Sequence, residues 1–303
     1  MRLVFAGTPA VAVPALRELA ARHEVVAVIT RRDAELGRKR VLTPSPVALA
    51  AGELGIEVIK ANRLGDDVTE RVRELHAELG TIVAYGGLVR EPLLSTPRLG
   101  WLNLHFSLLP RWRGAAPVQH SLIAGDTVTG AAVFQLVPEL DAGDVFSELR
   151  RPIGSDETAG ELLDALAVSG AALLADTVDE IAAGTAVAVP QSGEPTLAPK
   201  LGLPDAHLDF SQSAESVYAR LRGVTPEPGA FALVDGERFK IHAARPAEGE
   251  ALDAGQVSMR DKRVLVGTGT HPLELLTVQP AGKKAMPAAD WWRGLSREGV
   301  VLA

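Results

Sequence analysis

Polar and apolar side chains alternate in the segment 101–107. Because successive side chains of a strand point to opposite faces, Asn103, His105 and Ser107 share one face of the strand predicted there. An amide and an imidazole on one face can donate hydrogen bonds to an oxygen that gains negative charge during a reaction. The alternative is that Asn103 and His105 are core polar groups whose hydrogen bonds are satisfied by the backbone.

A loop with two prolines and two arginines follows this strand, over residues 107–117. It leads into a helix predicted to begin near Pro117, because proline is favoured in the first turn of a helix. In open α/β sheets, ligands bind beyond the carboxyl ends of the strands. The loop therefore favours a functional interpretation of the polar groups that precede it.

Two carboxylates flank a glycine in the turn Leu140-Asp141-Ala142-Gly143-Asp144. Asp and Gly are favoured in ordinary hairpin turns, and this explanation is strong for Asp141. Asp144 immediately precedes an apolar strand, where burial would make it a better base. Of the two carboxylates, Asp144 is therefore the stronger candidate for a base.

Several common kinds of site lack their sequence signals. The turn after the first strand has one glycine, Gly7, where a dinucleotide-binding fingerprint needs three. No HExxH motif and no Walker glycine loop occurs, the seven histidines are scattered, and there are no cysteines. We therefore expect neither a nicotinamide cofactor nor a metal.

The first part of the chain alternates strand and helix patterns. The apolar runs predict strands at 2–6, 24–30, 56–59, 81–85 and 101–106, and helices at 13–21, 47–54, 66–79 and 117–124. This alternation predicts an α/β domain with a mostly parallel, Rossmann-like sheet. Two more strands, 131–136 and 145–149, precede a long helix at 159–183, which Thr158 and Glu161 start with a capping box.

The composition changes after this helix. Residues 190–206 are rich in proline and glycine and are predicted to be a linker. Beyond them lie a helix at 214–221 and short strands at 231–234, 239–243, 255–258, 263–267 and 273–278, a pattern that favours a small OB-like β-barrel. The predicted division is a first domain at 1–189, a linker at 190–206 and a second domain at 207–303.

Composition limits the class of protein. The 303 residues are 47% hydrophobic and 23% charged, as expected of a globular protein. No apolar run is long enough to span a bilayer, so no membrane partner is expected. With no cysteines, a cytoplasmic location fits. The net charge of −7 means that an RNA partner would need local basic patches.

The motifs together resemble a known family. Asn103-Leu104-His105, the segment 107–110 and the turn that ends at Asp144 resemble the active-site set of folate-dependent formyltransferases. The segments 5–9, 44–47, 83–86, 109–117 and 279–286 resemble, in order, the branch that formylates charged initiator tRNA. Phe106 stands where a small residue is usual, and the segment 31–36 is more acidic than is usual. Because side chain 106 points away from Asn103 and His105, we expect altered packing there.

The resemblance implies a reaction and a set of residues. The first domain would be the formyltransferase domain, with 10-formyltetrahydrofolate as donor and the α-amino group of methionyl-initiator tRNA as acceptor, for translation initiation. Asn103 and protonated His105 would stabilise the oxyanion, while Asp144 would orient His105 and accept the amine proton. The folate would bind against Tyr85, Gly86, Leu88, Ser107, Leu108, Leu109, Pro110, Leu140 and Asp141.

The resemblance also implies contacts to RNA. Arg38, Lys39 and Arg40 resemble a loop that wedges against the acceptor stem, although a solvated loop is the simpler interpretation. Lys283 and Lys284 in the second domain form another candidate patch, and a monomer is expected. The alternatives are the same chemistry on glycinamide ribonucleotide or an amino sugar nucleotide, a hydrolase that releases formate, and a non-catalytic RNA-binding module.

Overall fold

The computed structural model describes residues 1–37, 39–295 and 299–303, which form two compact units. The first unit contains Met1–Pro117, Val128–Arg151 and Leu163–Ala198. The second contains Val118–Thr127, Pro152–Leu162 and Pro199–Ala303. Each unit is thus assembled from separate stretches of chain, and the predicted division at 1–189, 190–206 and 207–303 stays a prediction.

The first unit is built on a seven-stranded sheet. Numbered along the chain, its strands and four shorter ones are β1 Arg2–Gly7, β2 Glu24–Thr30, β3 Ala34–Leu36, β4 Val41–Thr43, β5 Glu57–Lys60, β6 Leu79–Val83, β7 Trp101–His105, β8 Arg113–Gly114, β9 Val128–Gln135, β10 Val145–Pro152 and β11 Leu197–Ala198. The four shorter strands form two separate two-stranded pairs, β3 with β4 and β8 with β11. The order in the sheet is β10-β9-β7-β6-β1-β2-β5. β5, β2, β1, β6 and β7 pair in parallel, and β9 runs antiparallel to β7.

The helices of this part of the chain follow the expected alternation. They are α1 Val13–Arg22, α2 Pro46–Glu53, α3 Asp66–Glu74, α4 Pro117–Ile123 and α5 Ala159–Ala183. Ser45 caps α2 by accepting a hydrogen bond from the Ala48 N–H at 3.0 Å. The predicted capping box of α5 is confirmed, since the Glu161 carboxylate accepts from the Thr158 N–H at 2.9 Å.

The central strands β1 and β2 carry apolar side chains that are buried in the core. Val4, Ala6, Ala27 and Ile29 are fully buried, as expected for central parallel strands covered on both faces. Trp101, at the start of β7, is also fully buried, and its indole N–H donates to the Leu93 carbonyl at 2.9 Å. These contacts fix β7, which carries the candidate site residues.

One predicted helix was too long. The pattern predicted a helix over 66–79, but α3 ends at Glu74 and β6 already begins at Leu79. His76 has φ of 51°, which ends the helix, because a left-handed residue breaks the run of helical hydrogen bonds. The following strand is therefore two residues earlier than the predicted 81–85.

Two short pairings were not predicted. β3 and β4 form an antiparallel hairpin around the basic segment 37–40, and β8 pairs in parallel with β11. Strands of two or three residues have too few side chains to show an alternating pattern. β11 lies inside the predicted linker, part of which therefore belongs to the first unit.

The second unit contains an antiparallel sheet. Its strands are β12 Phe231–Val234, β13 Glu237–Pro246, β14 Val257–Arg260, β15 Arg263–Val266, β16 Leu273–Gln279 and β17 Met286–Pro287, with helices α6 Ala214–Gly223 and α7 Ala288–Arg293. The order is β12-β13-β16-β15-β14, with β17 beside β16. The pairing register of β13 shifts twice between Ile241 and Ala244, and such bulges bend a strand as a small barrel requires.

The core of the second unit lies under this sheet. Phe239 and Trp291 pack with ring centroids 4.5 Å apart, and both belong to this core. Val266 and Val278 are fully buried beside them. None of the helices in the part of the chain that the structure describes is long and apolar enough to cross a membrane.

Candidate active site

The polar face of β7 is formed as the sequence predicted. His105 is 5% exposed and Asn103 is half-buried at a cavity, whereas Leu102 and Leu104 are buried on the opposite face. β7 lies between β6 and β9, so its backbone is held on both sides. The strand therefore presents the amide and the imidazole from a rigid element.

The imidazole of His105 is held by a backbone carbonyl. Its Nε2 lies 2.8 Å from the carbonyl oxygen of Trp112, in the loop that follows β7. Because a carbonyl only accepts, Nε2 carries the hydrogen. In the neutral ring Nδ1 is then unprotonated, and this atom lies 3.9 Å from the nearer carboxylate oxygen of Asp141.

Burial lowers the pKa of the His105 imidazole below its ordinary value of 6.5. The negative charge of Asp141 and the carbonyl of Trp112 act in the opposite direction, but desolvation is the larger effect. The resting side chain is therefore a neutral imidazole. Protonated His105, expected from the sequence, would form only when a proton is delivered to Nδ1.

The carboxylate beside His105 belongs to Asp141. Its side chain is 11% exposed and accepts a hydrogen bond from the Gly114 N–H at 2.7 Å. The backbone of Asp141 is left-handed, with φ of 46°, a conformation that aspartate tolerates better than most residues. Asp141 thus sits in a fixed turn, within reach of a charge on the imidazole.

Asp144 does not occupy the position that the sequence analysis gave it. It is exposed, and its backbone carbonyl accepts from the Gln135 N–H at 2.9 Å at the end of β9. The expectation that it orients His105 is corrected, because the contact is made by Asp141. The error came from treating Asp141 as an ordinary turn residue and expecting burial at the residue before the strand.

Two glycines allow this arrangement. Gly114 has φ of 127°, and a Cβ there would lie 2.6 Å from the carbonyl oxygen of Ala198. A Cβ on Gly143 would lie only 1.8 Å from the carbonyl oxygen of Gln135. Both positions bring two backbone segments so close that a side chain would separate them. The turn and the loop therefore converge on His105 only with glycine at these points.

A cavity of about 350 Å³ lies beside Asn103 and Asp141. Its volume is within the range of small-molecule sites. Three of the residues predicted to contact folate, Leu88, Leu140 and Asp141, line it. The remaining lining residues come from the segments after β6 and β9 and from their neighbours: Ile82, Gly87, Val89, Arg90, Glu91, Leu94, Leu136, Val137, Pro138 and Glu139.

Tyr85 and Gly86, also predicted at the folate site, belong to the segment after β6 that borders the cavity. The Tyr85 side chain is buried, and its hydroxyl donates to the Ala61 carbonyl at 2.6 Å. The guanidinium of Arg31 lies 5.7 Å from the Tyr85 ring centroid and donates to the Gly86 carbonyl. Any contribution of these two residues to the cavity is therefore made by backbone.

The residues Ser107 to Pro110 build the loop after β7. Ser107 is fully buried and its hydroxyl donates to the Arg111 carbonyl at 2.6 Å. Leu108 packs beside Gly130 of β9. Leu109 and Pro110 complete the segment that leads to Trp112. The structure thus gives these residues a role in supporting the loop that holds His105.

Phe106 is 6% exposed, so the large side chain is accommodated by burial.

The predicted linker contributes to the site, which the sequence analysis missed. Thr196 accepts a hydrogen bond from the Trp112 N–H at 2.9 Å, and Gln191 contacts both Arg113 and the Asp141 turn. β11 of the same segment pairs with β8. Its proline and glycine content is typical of a linker, and only the pairing with β8 shows that it is ordered by the site loop.

The basic residues predicted to contact RNA are exposed where the structure describes them. Lys39 and Arg40 lie at the turn between β3 and β4, and Arg40 pairs with Glu35 at 2.5 Å. Arg38 lies outside the described residues. Lys283 and Lys284 are exposed on the turn between β16 and β17 in the second unit.

Within the described residues, no group of three or more His, Asp or Glu is arranged to hold a metal ion.

Comparisons with known proteins agree with this chemistry. Residues 1–178 match the family model described as formyl transferase, and residues 200–296 match the formyl transferase C-terminal domain. A methionyl-tRNA formyltransferase of Leifsonia xyli subsp. xyli is 72% identical over 301 residues, covering 99% of this chain and 100% of that protein. One of Clavibacter sepedonicus is 63% identical over 303 residues, covering 99% of each.

A solved structure has a similar fold at low identity. An N-formyltransferase from Helicobacter canadensis, in complex with folinic acid and dTDP-3-aminofucose, gives a TM-score of 0.70 at 17% identity. The match covers 92% of this chain and 98% of that one. Both family models match this chain, and the two curated relatives are 72% and 63% identical to it from end to end. This chain therefore belongs to the formyl transferase family, in the group of the methionyl-tRNA formyltransferases.

Proposed function

We propose that this chain transfers the formyl group of 10-formyltetrahydrofolate to the α-amino group of methionyl-initiator tRNA. The product is N-formylmethionyl-tRNA, used in translation initiation. The observation that carries the proposal is the end-to-end identity of 72% with a protein named for this reaction. The meeting of Asn103, His105 and Asp141 supplies the chemistry.

Asn103 stabilises the oxyanion in this proposal. Attack of the amine on the formyl carbon makes a tetrahedral intermediate, and the former carbonyl oxygen becomes negative. Asn103 lines the cavity from β7, and its amide N–H is a donor that needs no change of protonation. Such a fixed donor stabilises the transition state more than the ground state.

His105 moves the proton. As the C–N bond to the amine forms, the neutral imidazole accepts the amine proton at Nδ1, since Nε2 is already bonded to Trp112. As the bond between the formyl carbon and N10 of the folate breaks, His105 returns that proton to N10. The electron pair of the broken bond stays on N10, so the transfer is balanced without another reactant.

Asp141 offsets the transient charge on His105. In the resting site the two groups are 3.9 Å apart, which is longer than a hydrogen bond. A carboxylate at that distance still favours the charged imidazole, because the surroundings are buried. In this proposal Asp141 takes the part expected of Asp144 beside His105, while the amine proton goes to His105 itself.

The folate ring system occupies the cavity of about 350 Å³. The backbone after β6 and the turn before β10 form its walls, with Leu88 and Leu140 at the apolar side. Leu88 is 62% exposed and Leu140 is 51% exposed, so both have apolar surface for a ligand to cover. The reacting formyl group then lies next to Asn103.

Contacts to tRNA use the basic turns. Lys39 and Arg40, with Arg38, meet phosphates of the acceptor stem, and Lys283 with Lys284 adds contacts from the second unit. The exposed side chains of Val41 and Leu42 adjoin the first turn and offer apolar surface to the end of the RNA duplex. The chain works as a monomer in the cytoplasm. The folate site lies in residues 1–189, and residues 207–303 add RNA contacts to those made by the basic segment of the first domain.

An assay with purified protein tests this proposal. Formyl transfer from 10-formyltetrahydrofolate is measured with methionyl-initiator tRNA, uncharged initiator tRNA and a charged elongator tRNA. Product is expected only, or far faster, with charged initiator tRNA. Transfer to glycinamide ribonucleotide or an amino sugar nucleotide instead would reassign the acceptor. Binding of tRNA without any formyl transfer would favour a non-catalytic RNA-binding module.

A further inference from the structure

The segment 190–198 lies against the two loops that build the active site. Its β11 pairs with β8, and Thr196 accepts from the Trp112 N–H. Gln191 stands at its beginning, half-buried, where the segment meets both the Arg113 loop and the Asp141 turn. This residue has no part in the proton transfer described above.

The amide of Gln191 bonds on both of its sides. Its oxygen accepts from Nε and Nη2 of Arg113 at 3.2 and 2.6 Å. Its nitrogen donates to the carbonyls of Asp141 and Gly143, each at 2.8 Å. A guanidinium only donates and a carbonyl only accepts, so these partners fix which end of the amide faces which loop.

The two carbonyls belong to a turn that needs support. Asp141 has a left-handed backbone, and Gly143 lies so close to β9 that no side chain fits there. One nitrogen that holds the carbonyls of residues 141 and 143 ties together the two ends of this short segment. The Asp141 carboxylate, which faces His105, projects from the tied backbone.

We infer that Gln191 is a positioning residue for formyl transfer, which holds the Asp141 turn so that its carboxylate faces His105 and its backbone forms the cavity wall. This inference rests on the proposed function. The simpler view is that Gln191 only fastens the segment 190–198 to Arg113. If Gln191 positions the turn, its amide nitrogen matters, because that atom bonds the carbonyls of Asp141 and Gly143. If Gln191 only fastens the segment, its amide oxygen matters, because that atom bonds Arg113.

The substitution Gln191→Glu separates the effect of the amide nitrogen from that of the oxygen. The glutamate keeps an oxygen for Arg113, now as an ion pair, but it cannot donate to the two carbonyls. Gln191→Met removes both halves at similar length and without charge. Glu194→Ala, at an exposed residue of the same segment, is the matched control. Thermal unfolding shows whether each variant folds.

The expected result for Gln191→Glu is a fall in kcat of about tenfold or more, because small misplacements of a reacting group have large effects on rate. The KM for the formylfolate should rise, because the same turn walls the cavity. Amide hydrogen exchange should become faster in a peptide that covers residues 138–146. Glu194→Ala should match the unmodified protein in all three measurements.

A double-mutant cycle with Asp141→Asn gives the decisive readout. If Gln191 acts through the carboxylate, Gln191→Glu should change the residual single-turnover rate of Asp141→Asn by no more than about twofold, because coupled residues are not additive. An equal loss in both backgrounds, or no loss of kcat and no faster exchange in Gln191→Glu, would overturn the inference. An unmodified protein that transfers no formyl group refutes the proposed function instead, and the exchange measurement still decides whether Gln191 holds the turn.

Discussion

His105 and Trp112 are joined by a hydrogen bond of 2.8 Å between the imidazole Nε2 and the backbone carbonyl oxygen. This bond leaves Nδ1 as the only ring atom that can exchange a proton with a substrate. The carbonyl belongs to the loop 107–117, which the sequence places directly after β7. One short loop therefore determines the direction in which the proposed base faces.

The first prediction concerns pH. Burial lowers the pKa of His105 below 6.5, so the neutral base persists into mildly acidic solution and kcat/KM should fall only as the pH drops through this lowered pKa. The charge of Asp141 raises the pKa of His105, so Asp141→Asn should move the acidic limb to lower pH. The pH profile of kcat/KM for both proteins checks this; a limb that moves to higher pH in the variant would contradict it.

The second prediction separates the two carboxylates. Asp141→Asn should lower kcat by about 10² or more, the scale of a lost acid–base partner. Asp144→Asn should stay within about twofold of the unmodified protein, because this exposed side chain lies outside the proposed proton path. Single-turnover formyl transfer measures both variants. Equal losses would restore Asp144 as a catalytic residue.

The third prediction concerns the oxyanion donor. Asn103→Ala should lower kcat by about 10²–10³, as removal of one such donor does elsewhere. The affinity for the formylfolate should change much less, because the lost hydrogen bond is strongest in the transition state. Measuring kcat beside the dissociation constant of a folate analogue tests this. A loss confined to binding would mean that Asn103 only lines the cavity.

The fourth prediction concerns the close approach at Gly143. Gly143→Ala should reduce stability by about 1–3 kcal/mol and lower activity, because the new methyl group meets the Gln135 carbonyl. Gly52→Ala, at an exposed position of helix α2 with no atom near the added carbon, should instead stabilise by about 0.5–1 kcal/mol. Urea unfolding of the two alanine variants makes the comparison, and opposite signs are expected.

The fifth prediction concerns RNA contacts in the second unit. Replacing Lys283 and Lys284 by alanine should raise the KM for charged tRNA and weaken the salt dependence of binding, with little change in kcat. Lys262→Ala, at another exposed turn of this unit, is the control for a simple loss of charge. An unchanged KM in the double variant would remove this patch from the RNA site.

Periodicity in the sequence was sufficient for the main elements. β1, β2, α1 and α5 were predicted to within one residue of their ends, because long apolar patterns and a capping box mark them. The helix over 66–79 was predicted too long because His76 carries no sign of its left-handed backbone in its residue type. The β3–β4 hairpin was missed because three residues are too few to show a pattern.

The site was predicted only in part for a related reason. Asn103 and His105 follow from strand alternation, which residue types display directly. The choice between Asp141 and Asp144 depends on how a turn folds back toward a loop more than twenty residues earlier, and on the Gly114 N–H that holds the carboxylate. Gln191, at 50 residues from Asp141, could not be connected to it by any local pattern.

The late position of Gln191 in the chain has a consequence for the order of synthesis. The acidic turn is made first, and the amide that ties its carbonyls follows 50 residues afterwards, beyond the whole of α5. A shortened protein that stops at residue 189 keeps Asn103, His105 and Asp141 but loses this amide. A protein shortened after Ala198 would retain the Gln191 amide. The nine residues 190–198 therefore determine whether the acidic turn of such a fragment is held by this side chain.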